Sequence, residues 1–235
     1  MKTHTNLQPG MTEELSNKIL LGNKLNNETK NPWLQIPSED YEGHMSAPNV
    51  AQLQMLDEMF ESALDKFSPR SICIPGCTAG NGFQHLINRY LDFVVGIDIN
   101  PKYLMECRNW FVQDVQNLHL ICADLNELDL IYPMFDLIHV ALVFEYVEVD
   151  LLLSKIFRWL KPDGILSVIL QLPGKTSSPV SETEYESVKT LVPFIKLVNP
   201  QDFKEKAEKC GLLQIEETEI ELSTGKHFTK TYFKK

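Results

Sequence analysis

The sequence predicts an α/β fold, a doubly wound and mostly parallel sheet with helices on both faces. Three observations predict it. Short, almost wholly apolar runs alternate with amphipathic segments, the pattern of strands buried on both faces and joined by crossover helices. The first run, Ser71-Ile72-Cys73-Ile74-Pro75, breaks into a glycine-rich turn, Gly76-Cys77-Thr78-Ala79-Gly80-Asn81-Gly82. The next two, Phe93 to Asp98 and Leu118 to Cys122, end at acids, Asp98 itself and then Asp124. A turn, an acid and an acid at the ends of successive strands gather at one edge of the sheet, where open α/β sheets bind ligands.

The elements follow in order. Residues 1–48 are polar and read as an N-terminal lid or extension, and residues 49–235 as a single domain. Met11 to Leu25 carries Leu15, Ile19 and Leu20 at helical spacing, and Asn26 to Pro32 is a loop by composition. The loop-like stretch from Trp33 to Met45 is rich in aromatic and ionisable side chains. It is either a strap anchored by Trp33 and Ile36 or a lid that brings Trp33, Tyr41 and His44 to a substrate. Asn49 is placed to cap a helix running to Phe67, with Leu53, Leu56, Phe60, Leu64 and Phe67 as its stripe.

Beyond the glycine turn, Phe83, Leu86, Ile87, Tyr90 and Leu91 recur at helical spacing. Asn100 caps and Pro101 opens the next helix. The fourth strand, Phe135 to Ala141, runs on into Leu142-Val143-Phe144-Glu145-Tyr146-Val147. A helix from Asp150 to Leu160 leads through the Lys161-Pro162-Asp163-Gly164 turn to a fifth strand, Ile165 to Leu170. An insertion over about 172–197, with a short helix near Glu184 to Leu191, follows a strand's carboxyl end and so reaches the ligand edge. Pro200 to Cys210 is helical and stops at Gly211. Leu212 to Leu222 and His227 to Phe233 form a final strand pair.

Composition narrows the function. With 235 residues and 43% apolar content the chain buries one substantial core. Lys and Arg number 22 against 32 Asp and Glu, a net charge of −10 that repels phosphate backbones and disfavours nucleic acid as a partner. Small neutral or cationic molecules suit such a field. The five cysteines are odd in number and form no CxxC pair, which reads as reduced thiols in a cytoplasmic protein with no metal site. No stretch approaches the length of a membrane span, and the polar N-terminus lacks a signal-peptide core.

Five segments together carry a resemblance: Ile74 through Gly82, Gly96-Ile97-Asp98-Ile99, Ala123-Asp124-Leu125, Phe135-Asp136-Leu137-Ile138 and Leu160-Lys161-Pro162-Asp163-Gly164. In this order, over roughly Ser71 to Ile169, the sequence resembles the class I, Rossmann-like S-adenosylmethionine-dependent methyltransferases. The resemblance implies a seven-stranded sheet ending in an antiparallel hairpin. It implies S-adenosylmethionine as cofactor and S-adenosylhomocysteine as product. Asp98 is then placed to accept both ribose hydroxyls, or else it only caps the next turn. Ala123, Asp124 and Leu125 meet the adenine. Gly76, Cys77, Thr78 and Gly80 bring backbone to the methionine part and ribose, and Ile99 and Leu142 pack on the adenosine. Two departures stand out. Ile74 replaces the acid common two residues before the first glycine, and Thr78 replaces the turn's middle glycine.

Methyl transfer needs alignment and exclusion of water more than acid–base machinery. A base is required only for a protonated acceptor. Glu145 and Tyr146 are the catalytic candidates, for orienting the acceptor or removing its proton, or else Glu145 caps a segment and Tyr146 packs. His139 reads as a core histidine. The leading expectation is methyl transfer to O or N of a small molecule by a monomer or homodimer. The alternatives are a non-catalytic cofactor-binding regulator, a protein or RNA methyltransferase, and a nicotinamide oxidoreductase. The last is disfavoured because the turn reads G-x-x-x-G-x-G and not G-x-G-x-x-G.

Overall fold

The computed structural model describes residues 31–130, 133–173 and 179–235; the expected helix from Met11 to Leu25 and the first residues of the extension lie outside these. Two helices precede the sheet, α1 (Ser38–Ser46) and α2 (Gln52–Phe67). Then follow β1 (Ser71–Pro75), β2 (Phe93–Asp98), α3 (Pro101–Phe111), β3 (Leu118–Cys122), β4 (Phe135–Ala141), α4 (Val149–Trp159) and β5 (Leu160–Gln171). The chain closes with α5 (Glu186–Lys189), α6 (Pro200–Lys209), β6 (Leu213–Glu221) and β7 (His227–Lys234).

The seven strands form one sheet in the order β3-β2-β1-β4-β5-β7-β6. Strands β1 to β5 pair in parallel, whereas β7 runs antiparallel to both β5 and β6. Alternation along the strands sorts the core into two layers. Ile72, Ile74, Val94, Leu120 and Leu137 pack with Phe60 and Leu64 of α2 and Leu104 and Cys107 of α3. Cys73, Val95, Ile97, Ile138 and Val140 pack with Leu152, Ile156 and Trp159 of α4 and Phe203 of α6. His139 is a core histidine: its Nδ1 lies 3.0 Å from Ser167 Oγ, and burial pushes its pKa down to about 3.

Four local expectations are corrected. The stretch from Trp33 to Met45 is no loop but a 3-10 turn, Pro32–Leu34, followed by α1. Helix α1 lacks an apolar stripe, and Glu39 and Asp40 in its first turn favour it through the helix dipole. Gly43 sits mid-helix because a Cβ there would stand 2.3 Å from the Tyr185 hydroxyl. The segment after the glycine turn forms only a 3-10 helix, Phe83–Leu86. Gly82 and Asn88, both at positive φ, leave too few residues between them to nucleate an α-helix, and Phe83 and Leu86 are buried by the short turn alone. Asn49 caps nothing; α2 begins after Ala51, and the Asn49 amide donates to the Glu182 carbonyl. Finally, Lys161 to Gly164 lies within β5, as an irregularity in its pairing with β4.

Strand register places the site. Pro75 pairs with Ile97 and Asp98 with Cys122. Gly76 therefore leaves the sheet beside Asp98, with its amide on the Ile97 carbonyl at 2.7 Å, and Asp124 leaves one strand further along.

Candidate active site

A cleft of about 430 Å3 opens at the carboxyl edge of β1, β2, β3 and β4, a size in the range of ligand pockets. Its walls include Gly76 and Thr78 from the glycine turn, Asp98 and Ile99 after β2, Ala123, Asp124 and Leu125 after β3, and Leu142 after β4. Eight of the ten expected cofactor contacts thus meet in one cavity. Cys77 and Gly80 do not line it. The Cys77 side chain is buried against Gly96, and a Cβ at Gly80 would press on Phe111 and Cys107, so both positions face the core.

Backbone strain marks the cleft. Thr78 and Leu142 hold left-handed φ angles of 48° and 55° that non-glycine residues seldom adopt. Thr78 stays in the glycine-like conformation because its amide donates to Asp98 Oδ2 at 2.9 Å. Asp98 Oδ1 accepts from the Asn100 amide at 2.8 Å. Asp98 therefore does cap the turn after β2, and the Thr78, Asn100 and Ile99 amides leave its carboxylate further acceptor capacity. Burial pushes its pKa up to about 6, against the lowering effect of those amides.

A smaller chamber of about 50 Å3 adjoins the cleft and shares Trp33, Tyr41, Leu142 and Tyr146 with it. Its remaining walls include His44, Gln52, Glu145, Gln171, Val188 and Leu191. The structure thus brings together all five residues singled out for catalysis and substrate. Glu145 is 3% exposed. It caps no segment of its own; its Oε1 accepts the Gln171 amide at 2.9 Å, while Oε2 is buried with no partner among the described residues. Burial raises the Glu145 pKa to about 7. Burial also raises the pKa of the Tyr41 and Tyr146 phenols and lowers that of His44, so all three are uncharged at neutral pH.

Trp33 is the hinge of this wall. Its ring meets Tyr41 at 5.5 Å and Tyr146 at 5.0 Å between centroids, edge-to-face in both cases. Its carbonyl accepts from Asn100 Nδ2 at 2.8 Å, so the residue that caps α3 also ties down the 3-10 turn over the cleft. Tyr103 donates to the Ile36 carbonyl at 3.0 Å and Ser38 to Glu106 at 2.7 Å, fastening α1 across α3.

Sequence reasoning missed several contributors. Val143, Asn126 and Phe194 line the cleft, and Gln52 and Gln171 the chamber. Lys155 holds the floor: from α4 its ammonium donates to the Leu125 and Asn126 carbonyls at 2.9 and 2.6 Å, fixing the loop after Asp124. A lysine between Leu152 and Ile156 on an apolar helix face was the available signal.

Comparison with known proteins points to a class. Residues 74–168 match the family described as a methyltransferase domain. That match, over about two fifths of the chain, together with the sheet order above supports a class I methyltransferase that uses S-adenosylmethionine. The fold is similar to that of the N-methyltransferase NodS from Bradyrhizobium japonicum WM9 in complex with S-adenosyl-L-homocysteine. The TM-score is 0.60 at 14% identity, over 94% of this chain and 96% of that one. It is also similar to a TehB-like methyltransferase from Corynebacterium glutamicum (TM-score 0.58, 22% identity, 84% and 98% covered). A third similar structure is the [4+2]-cyclase SpnF (TM-score 0.62, 12% identity, 76% and 81% covered). No curated protein matches the sequence.

The cleft's chemistry fits that cofactor. Two carboxylates at successive strand ends can accept from a ribose diol and an exocyclic amine, and Ile99, Leu125 and Leu142 offer apolar walls to a purine. Among the described helices none is long and apolar enough to cross a membrane.

Proposed function

We propose that this enzyme methylates an oxygen or nitrogen of a small-molecule acceptor. The bound cofactor supplies an electrophilic methyl group on a sulfonium. In this reading Asp98 holds the ribose, Asp124 and the Leu125 backbone meet the adenine, Gly76 and Thr78 present main chain to the amino-acid tail, and Ile99, Ala123 and Leu142 pack on the nucleoside.

The observation that carries the reading is the chamber joined to the cleft across Trp33, Tyr41, Leu142 and Tyr146, with Glu145 in its wall. A methyl acceptor placed there lies beside the cofactor and away from bulk water, which is the alignment this reaction needs. Trp33, Tyr41 and His44 contact the acceptor and Tyr146 orients it. Glu145 takes the proton, because burial brings its pKa to about 7 while the tyrosines are held far from ionisation. A chamber of this volume admits a small head group.

The test is release of S-adenosylhomocysteine across a panel of small acceptors, with Glu145→Gln alongside. Acceptor-dependent release that the substitution abolishes supports the proposal. Cofactor binding with no methylated product would leave a second reading, a cofactor-binding protein without methyl transfer. Ile74 in place of an acid favours that second reading.

A further inference from the structure

Resting on the methyltransferase reading of the site, we infer that the acceptor is a small amine. It binds as its ammonium in the inner chamber, between the Glu145 carboxylate and the rings of Trp33, Tyr41 and Tyr146. Four observations converge on this chemistry.

Glu145 offers one unspent oxygen. Oε1 is fixed by the Gln171 amide, and Oε2 is buried, without a partner among the described residues, in a side chain 3% exposed. A buried acceptor held in one direction asks for a donor, and a charged donor makes the stronger bond. The surrounding walls are aromatic, with Trp33 at steep angles of 72° to Tyr41 and 81° to Tyr146. In an edge-to-face pair the edge of one ring meets the face of the other, and a ring face left open to the chamber attracts a cation within about 6 Å.

The charges of the chamber favour a cation over an anion. No lysine or arginine is among its described walls. His44 is held neutral by burial, and Lys226, whose charge adds to that effect, donates its ammonium to the Pro179 carbonyl. A carboxylate or phosphate acceptor would face Glu145, with no lysine or arginine among the described walls and Lys226 already donating to the Pro179 carbonyl. Another polar atom of a lining residue, His44 Nδ1, is also buried and unpartnered among the described residues, and suits a second N–H of the same head group. At about 50 Å3 the chamber takes an ammonium with a few carbons, and the rest of the acceptor extends toward the cleft.

The step balances. Glu145 removes one proton from the ammonium, which frees the nitrogen lone pair. That pair forms the new nitrogen–carbon bond as the carbon–sulfur bond breaks, and the electron pair of the broken bond stays on sulfur. The products are the N-methylated ammonium, S-adenosylhomocysteine and a protonated Glu145, which returns its proton to water when the site opens.

The test uses the full chain with S-adenosylhomocysteine added, its binding first measured by calorimetry. Isopropylammonium, isopropanol and isobutyrate are then titrated separately, with binding read from the probes' own NMR signals. Isopropylammonium should bind at least tenfold more tightly than isopropanol, and isobutyrate least. Glu145→Gln should erase that preference, and Trp33→Leu, which keeps the wall apolar, should reduce it at least threefold. The inference is overturned if isopropanol or isobutyrate binds as tightly, if the preference survives both substitutions, or if no probe binds. Failure of the methyltransferase reading shows separately, as no calorimetric signal with S-adenosylhomocysteine. The probe preference in the unloaded protein then still decides the chamber's chemistry.

Discussion

Asp98 Oδ2 accepts the Thr78 amide at 2.9 Å, and this bond fastens the glycine turn after β1 to the end of β2. The same carboxylate takes the Asn100 amide through Oδ1 and so fixes the start of α3. From sequence, Asp98→Ala is expected to cost affinity and little stability. The two hydrogen bonds argue for a larger cost in stability. Removal strands two amides, one of them on a residue held at left-handed φ.

Asp98→Ala should lower stability by about 1–3 kcal/mol, the cost of leaving buried donors unsatisfied. It should also weaken S-adenosylmethionine binding at least a hundredfold. Asp98→Asn, which keeps one acceptor oxygen, should recover part of the stability but little of the affinity. Thermal melts and calorimetry on the two variants separate the roles, and unchanged affinity in both would remove Asp98 from the ribose.

Gly76→Ala should damage the cleft directly. Gly76 has φ of +72°, and an added Cβ would stand 2.4 Å from Val143 Cγ2, pushing that side chain into the cavity it lines. Gly225 has φ of +80° with nothing within 4 Å of a Cβ, so Gly225→Ala carries only the conformational cost of roughly 1–2 kcal/mol. Gly76→Ala should lower the melting temperature further than Gly225→Ala and should alone weaken cofactor binding. Equal effects would show that Val143 yields freely.

Glu145 links stability and turnover in opposite senses. Its pKa rises from the usual carboxylate value to about 7, with burial as the largest cause. The folded state therefore holds the proton more tightly than the unfolded one. The stabilisation is complete below about pH 4.5 and is lost as pH rises toward 7. Of the titratable groups facing Glu145, Tyr41 and Tyr146 stay uncharged across this window, burial lowers the His44 pKa from its ordinary value, and Lys226 beyond them donates to the Pro179 carbonyl. Glu145→Gln should flatten that limb of the pH–stability curve and abolish turnover. Wild-type kcat/KM should rise through about pH 7 as the carboxylate forms. A rate independent of pH between 5.5 and 8.5 would remove Glu145 as the base.

His139 gives the acid limb. Burial lowers its pKa from 6.5 to about 3, so the stability of keeping it neutral is present above pH 6.5 and is lost as pH falls toward 3. His139→Gln, able to keep the bond to Ser167, should reduce the acid sensitivity of the melting temperature and leave neutral-pH turnover within twofold. A large loss of turnover would move His139 into the chemistry.

The residues proposed for the cofactor were legible because they are tied to the ends of strands. Once Ile74, Ile97 and Ile121 are read as buried strand positions, parallel register brings Gly76, Asp98 and Asp124 to one edge. The residues proposed for the acceptor were legible only as a set. Trp33, Tyr41, His44, Glu145 and Tyr146 could be named, but nothing in their spacing says that they share one chamber. They come from a 3-10 turn, a helix and a strand-end segment, and only packing assembles them.

The sequence by itself determined the strand order of hydrophobic runs, the capping of α3 by Asn100 and the acids at the cleft, since these follow from local periodicity and turn chemistry. Tertiary structure decided the rest. It made a helix of a stretch without an apolar stripe, because α3 and Tyr185 hold it in place. It reduced the segment after the glycine turn to a single 3-10 turn, because two left-handed residues bound it. It left one oxygen of Glu145 buried and unshared among the described residues, because long-range packing sets desolvation and partner count, which no stretch of sequence records.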